Sequence, residues 1–318
     1  MNCLSIIMYH YVRDLKHSRY PEIKGLDYQL FKDQIDFLMQ NFSILTMEEI
    51  IAALDNPDIK LPENAALLTF DDGYIDHFSF VFPYLKSKNL QGTFFIPGKV
   101  FTENVLLDVN KIHFILASTD SSKLYARLLD MLNAYRDRDW IYPSNAALIS
   151  QYAIANRFDS KEVIFIKRML QTVLPEDLRF QLSSDLFHEF VGLPEDVFAR
   201  ELYMNKEQIK YMKDSGMFIG VHGYDHYWLG DLSEDKMMSD IKKAINAFDN
   251  IIDARGWVMC YPYGSYNQQV INYIERNGCR LGMTTGLGIA SLEKSEIYKL
   301  PRFDCNDFPP ITINYLRY

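Results

Sequence analysis

The stretch Ala65-Ala66-Leu67-Leu68-Thr69-Phe70-Asp71-Asp72-Gly73 reads as a buried strand that ends in two carboxylates and is then broken by glycine. Two adjacent acids at a strand's C-terminal end are costly, because like charges so close resist joint ionisation. A bound cation removes that cost and gives the two acids different tasks. A second segment, Met217-Phe218-Ile219-Gly220-Val221-His222-Gly223-Tyr224-Asp225-His226, repeats the design: a strand, then two imidazoles four positions apart. Two histidines and one aspartate, with open positions for water, are the parts of a hydrolytic metal centre.

Working outward, strands and helices alternate. Residues 5–10 read as a first strand ending in Tyr9-His10. Residues 27–42 have helical spacing, with Leu30, Phe31, Ile35, Leu38 and Met39 as the apolar stripe. Thr46 and Glu49 form a capping box that opens a further helix through Ala53. A helix over 78–87 leads to a strand over 90–96. From about 100 to about 203 the pattern changes to amphipathic helical stretches, among them 123–135, 161–173 and 177–190, without a convincing strand. Alternation resumes with Asn205 as an N-cap and the His222 strand. A helix from Ser233 through Ile252, a strand over 258–261, a helix over 265–276 and a strand over 279–285 follow. Such alternation predicts a parallel α/β architecture.

Composition bounds the partners. The 318 residues are 48% hydrophobic and 24% charged, which is ample for a large core. A net charge of −9 and the lack of a basic run argue against nucleic acid and against attraction to anionic lipid. Cys3, Cys260, Cys279 and Cys305 are scattered without a C-x-x-C pair and read as buried, reduced thiols. The opening residues MNCLSIIMYHYV lack the basic region and cleavage site of a leader, and their apolar run is too short to span a bilayer. The expectation is a cytoplasmic protein without an integral membrane segment.

Three motifs occur in order: Thr69-Phe70-Asp71-Asp72-Gly73, His222 to His226, and Tyr261-Pro262-Tyr263-Gly264. Together they resemble the T-F-D-D-G, H-[ST]-x-x-H and P-Y-G motifs of polysaccharide deacetylases, carbohydrate esterase family four. The resemblance covers residues 1–98 and 203–318. It implies an α/β fold, a distorted (β/α) barrel of the polysaccharide-deacetylase type. Residues 99–202 then form a large helical insertion, a lid or substrate-recognition subdomain. It further implies Asp71 as general base, Asp72, His222 and His226 as ligands of Zn2+ or another divalent transition metal, and the Tyr263 backbone N–H as oxyanion donor.

The chain departs from the family pattern in three places. Gly223 replaces the usual Ser or Thr, Cys260 stands where many members have a base-orienting Arg, and no histidine follows His226. Some members carry the acid histidine on the N-terminal strand, and His10 resembles that arrangement. Leu300-Pro301-Arg302 resembles a late segment of such members, which implies that Arg302 orients Asp71. The implied activity is removal of an N-acetyl group from an amino sugar, on a glycan, lipid or nucleotide carrier, with release of acetate.

Other readings compete. The same superfamily includes cyclic-amide and cyclic-imide amidohydrolases, and the missing Arg and late His suit a catalytically inactive sugar-binding homologue. Two His and one carboxylate also describe non-haem iron oxygenases. His77, His113 and His188 read as structural or surface residues. Asp225 reads either as a hydrogen-bond partner of a ligand imidazole or as a loop cap. Tyr224, Tyr227 and Trp228 read equally as a sugar-stacking cluster or as rim packing.

Overall fold

The strand Ala65–Asp71 is buried along its whole length in the computed structural model, which describes residues 2–136, 140–156 and 159–318. It pairs in parallel with Cys3–Tyr9 on one side, Ile7 opposite Leu68, and with Thr93–Ile96 on the other, Phe70 opposite Phe94. Phe218–Val221, Met259–Cys260 and Gly282–Met283 extend the parallel ladder in that order. The segment 300–304 then joins the two edges. Leu300 bridges Met283, while Phe303–Asp304 pairs in parallel with Ile7 and Met8. The sheet thus curls into a distorted (β/α) barrel.

Because side chains alternate along a strand, Ala65, Leu67, Thr69 and Asp71 share one face. Ala65 and Leu67 pack with Leu4, Ile6, Phe95, Cys260, Met283 and Leu300 in one apolar cluster. Thr69 and Asp71 carry the same face to the strand's C-terminal end, where it turns polar. His10, His222 and Tyr263 follow strands that run the same way, so their residues collect at that end.

Helices cover the sheet where the apolar spacing predicts them, with informative differences. In Tyr28–Asn41, capped by Asp27, the buried face is Phe31, Gln34, Ile35 and Leu38. Leu30 and Met39, expected in the stripe, lie on the exposed side. Gln34 takes the core position with its amide nitrogen donating to the Cys305 carbonyl at 2.8 Å, while its Oε1 has no partner among the described residues. Both halves of the Thr46/Glu49 capping box form at the start of Met47–Asp55. The helix expected through Ile252 ends at Ala247, before Asn250 adopts a left-handed φ of 62°. The strand expected over 279–285 shortens to Gly282–Met283.

The chain folds as two compact units. One, residues 1–14, 25–105 and 199–318, holds the sheet. The other, residues 15–24 and 106–198, is helical: Asp108–Ser118, Ser121–Tyr135, Asn145–Tyr152, Lys161–Arg168 and Glu176–Phe190 pack through residues such as Ile112, Leu128, Phe165 and Leu182. Lys111 is fully buried there, its ammonium 2.8 Å from Glu195 and 3.2 Å from Asp108. Residues 15–24 are tied to this unit by Lys24, which pairs with Asp159. Among the described residues, no helix is long and apolar enough to cross a membrane.

Candidate metal centre

The turn after Ala65–Asp71 aims its two acids apart. Asp72 adopts a left-handed φ of 76° and Gly73 follows at 71°. Asparagine and aspartate tolerate this region better than most residues, and glycine enters it freely. A β-carbon at Gly73 would also lie 2.5 Å from the Ile96 side chain. Asp71 stays on the strand and faces inward, while Asp72 swings toward the histidine loop.

Asp72 Oδ1 lies 3.3 Å from His222 Nε2 and 3.2 Å from His226 Nε2, and all three residues are buried. His222 Nδ1 donates to the Cys260 carbonyl at 2.7 Å. In a neutral imidazole with its proton on Nδ1, Nε2 carries a lone pair. That lone pair then faces a carboxylate oxygen, an arrangement that repels unless a proton or a cation sits between. Asp72 Oδ1 has no hydrogen-bond partner among the described residues. Burial disfavours ionised Asp72, but the two imidazoles outweigh it and hold its carboxyl well below the usual range. Burial likewise disfavours charge on His222, yet Cys260 and Asp72 raise its pKa, while burial lowers that of His226. A divalent cation would satisfy all three donors at once, and imidazole with carboxylate is a donor set that suits ions such as zinc.

Asp71 is engaged differently. Arg302, fully buried, grips it with two bonds: Nη1 to Oδ1 at 2.9 Å and Nη2 to Oδ2 at 2.7 Å. Arg302 is itself fixed by donating from Nε to the Thr284 carbonyl at 2.9 Å and from Nη1 to Thr69 Oγ1 at 3.2 Å. Burial opposes ionisation of Asp71, and the guanidinium overcomes it, so the carboxyl stays below its ordinary pKa. His10 Nε2 lies 3.8 Å from Asp71 Oδ2, and its side chain is 40% exposed. The His10 carbonyl accepts from Nε2 of the buried His77 at 2.9 Å. Burial pushes the His77 pKa down to about 4.

Tyr263 sits in the Pro262–Gly264 turn after Met259–Cys260, with a left-handed φ of 58°. Its ring lies 4.7 Å from His226 on one side and stacks on Trp228 at 4.4 Å on the other. His226 is left-handed too, at φ 57°. Strained backbone of this kind gathers where side chains must be aimed. The structure therefore brings Asp71, Arg302 and His10 into one cluster and Asp72, His222, His226 and Tyr263 into the next. Asp71 and His222 carry donor atoms within 4.8 Å of one another.

Two neighbouring residues were not singled out from the sequence. Asp240, buried on Glu234–Ala247, accepts from the backbone N–H groups of Tyr224 and Asp225 at 2.9 Å each. Its signal was an acid in register with Met237, Ile241 and Ala244 on the core face. Asp240 also accounts for Gly223: φ is +67°, and a β-carbon there would lie 3.1 Å from the Asp240 carboxylate. Tyr74, directly after the first motif, donates its hydroxyl to Asp72 Oδ2 at 2.5 Å. Asp225, expected beside a ligand imidazole or as a loop cap, pairs with Lys99 instead. Of the aromatic trio, Tyr224 turns to Glu103, Tyr227 lies under Lys236, and Trp228 stays against Tyr263. Cys260 is a buried thiol, as expected, with Sγ 3.5 Å from Asp71 Oδ2.

The family model described as polysaccharide deacetylase matches residues 58–127 and 120–282. The chain belongs to the polysaccharide deacetylase family. A stretch of 100 residues is 31% identical to YxkH of Bacillus subtilis (strain 168), a polysaccharide deacetylase by name, and covers 31% of this chain and 36% of that relative. The match thus spans about a third of that relative's length. The fold of this deacetylase-family chain is also that of solved deacetylases. The Streptococcus pyogenes deacetylase PplD, in complex with acetate, aligns with a TM-score of 0.59 at 18% identity over 99% of this chain and 96% of PplD. A de-N-acetylase from Aggregatibacter actinomycetemcomitans aligns at 0.56 and 15% identity over 99% of this chain and all (100%) of that one. IcaB from Ammonifex degensii aligns at 0.50 and 19% identity, over 95% and 87%.

Proposed function

We propose that this chain is a metal-dependent hydrolase that removes the N-acetyl group from an amino sugar and releases acetate. The observation that carries the proposal is the Asp72–His222–His226 cluster, whose three donor atoms converge beside an independently held carboxylate, Asp71. Family membership and the deacetylase names of its structural neighbours support the reaction type.

Asp72, His222 and His226 would hold the ion. A divalent ion held there would supply a water of lowered pKa, about 7, and a Lewis acid for the amide carbonyl. Asp71 takes the proton from the attacking water, and Arg302 keeps its carboxylate in place and ionised. The Tyr263 backbone N–H donates to the oxyanion that forms at the carbonyl carbon. His10, half-exposed and beside Asp71, gives a proton to the leaving amine as the C–N bond breaks. Water and amide are consumed, and acetate and the free amine are formed. We further propose that residues 99–202 serve as a lid or substrate-recognition subdomain, so that substitutions confined to them should change KM at constant metal content.

The test is metal content measured together with acetate release from a panel of N-acetylated sugars, for the wild type and Asp71→Asn. One metal per chain and acetate release that is lost in Asp71→Asn support the reading. Cleavage of cyclic amides in place of N-acetyl sugars would replace it with the amidohydrolase reading, and a metal-free protein would remove its basis.

A further inference from the structure

A carboxylate ligand has two oxygens, and which of them reaches a metal is a structural decision. In this chain Asp72 Oδ1 faces both imidazoles, while Oδ2 accepts the Tyr74 hydroxyl at 2.5 Å. Both side chains are almost fully buried, so water does not compete for that bond. Hydrogen bonds to ionised acceptors are the stronger kind, and this one is short.

Tyr74 is itself fixed from several directions. Its ring stacks on Tyr11 at 4.0 Å with 16° between planes. Its backbone bridges Tyr203, and the adjacent Gly73 carbonyl accepts from Met204 N–H at 3.0 Å. The Tyr74 carbonyl accepts from His77 N–H at 3.0 Å. The hydroxyl is thus delivered to Asp72 by packing that does not depend on a metal.

We propose that Tyr74 is the positioning residue of the metal centre: its hydroxyl occupies Asp72 Oδ2 and leaves Oδ1 alone to serve as ligand. The proposal rests on the metal-centre reading above. The contact of the Tyr74 hydroxyl that bears on the site is with the ligand residue Asp72. Tyr74 acts through Asp72, in the way that outer hydrogen-bond partners commonly govern a ligand's orientation and affinity.

The experiment strips the full-length protein of metal with a chelator, then titrates it with Zn2+ against a chromophoric chelator and with Co2+ by visible absorption. Tyr74→Phe keeps the ring on Tyr11 and removes only the hydroxyl. The expected result is Zn2+ affinity lower by about 10- to 100-fold and a changed Co2+ absorption spectrum, with the thermal midpoint of the metal-free protein close to wild type. Replacing Tyr74 with 4-aminophenylalanine restores a donor on the same ring. It should recover most of the affinity and the wild-type spectrum, and it serves as the informative variant if Tyr74→Phe folds poorly. Unchanged affinity and spectrum in Tyr74→Phe would overturn the proposal, as would failure of the amino ring to restore them. A wild-type protein that binds neither ion overturns the metal-centre reading as well, whereas wild-type binding that Tyr74→Phe leaves intact overturns the role of Tyr74 alone.

Discussion

Replacing Arg302 by methionine is the sharpest physical test of the site. The guanidinium is fully buried and makes two charge-assisted bonds to Asp71, at 2.9 and 2.7 Å. Methionine fills much of the volume but leaves the Asp71 carboxylate buried without its cation. Removing one partner of a buried ion pair costs about 3–5 kcal/mol. Even the lower figure is roughly a 150-fold change in the folding equilibrium, and a large share of the ~5–15 kcal/mol that keeps a typical domain folded.

The pH dependence follows in sign. In the wild type the folded pKa of Asp71 is depressed. The pair therefore contributes fully above the unfolded carboxylate value of about 3.9 and is lost as pH falls through the lower folded value. In Arg302→Met the guanidinium is gone, and burial, opposed only by the weaker pull of His222 and His10, raises that pKa. The deficit against wild type should then be greatest near neutrality and shrink in acid, once Asp71 takes a proton. Urea unfolding of the metal-free protein measures this, with the buried Trp257 as a reporter within the sheet unit. A double variant, Arg302→Met with Asp71→Asn, should recover most of the loss, because no unpaired charge remains. A cost below about 1 kcal/mol for the single variant, the level of a surface ion pair, would refute the reasoning. Strict additivity in the cycle would do the same.

Other expectations follow from the same geometry. His10→Ala should keep full metal content and lose about 10²–10⁴-fold in kcat with KM little changed, and an unchanged kcat would reassign the acid. His222→Ala should abolish stoichiometric metal binding, which elemental analysis of the purified variant checks. His77 has a folded pKa near 4 because it is buried. As a histidine kept neutral, it contributes stability that is present above about pH 6.5 and is lost toward pH 4, about 3 kcal/mol in all. Unfolding curves of His77→Gln across that range should lack this slope. Thr46→Ala removes one half of the capping box on Met47–Asp55 and should cost about 1 kcal/mol, read by urea denaturation.

Local chemistry could be read from the linear sequence because it is written in neighbouring residues. The run into Asp71, the turn at Gly73, the paired imidazoles and the Thr46/Glu49 box each involve residues within a few positions, and backbone geometry dictates how such residues present themselves. The alternation of strands and helices was legible for the same reason. Where apolar spacing alone guided the reading it overran, as at Leu30 and Met39 or at the helix stopped at Ala247, since burial is decided by what packs opposite.

The partners of the site residues were a matter for the tertiary structure. Arg302 meets Asp71 across 231 positions because the segment 300–304 links the two edges of the sheet. The Cys260 carbonyl orients His222 because adjacent strands run in register. Asp240 holds the histidine loop from a helix that the loop's own residues do not specify. Each of these contacts puts a charge or a lone pair against a group distant in sequence. A sequence names the residues that can carry such chemistry, and only the closed sheet sets the few ångströms that let them act on one another.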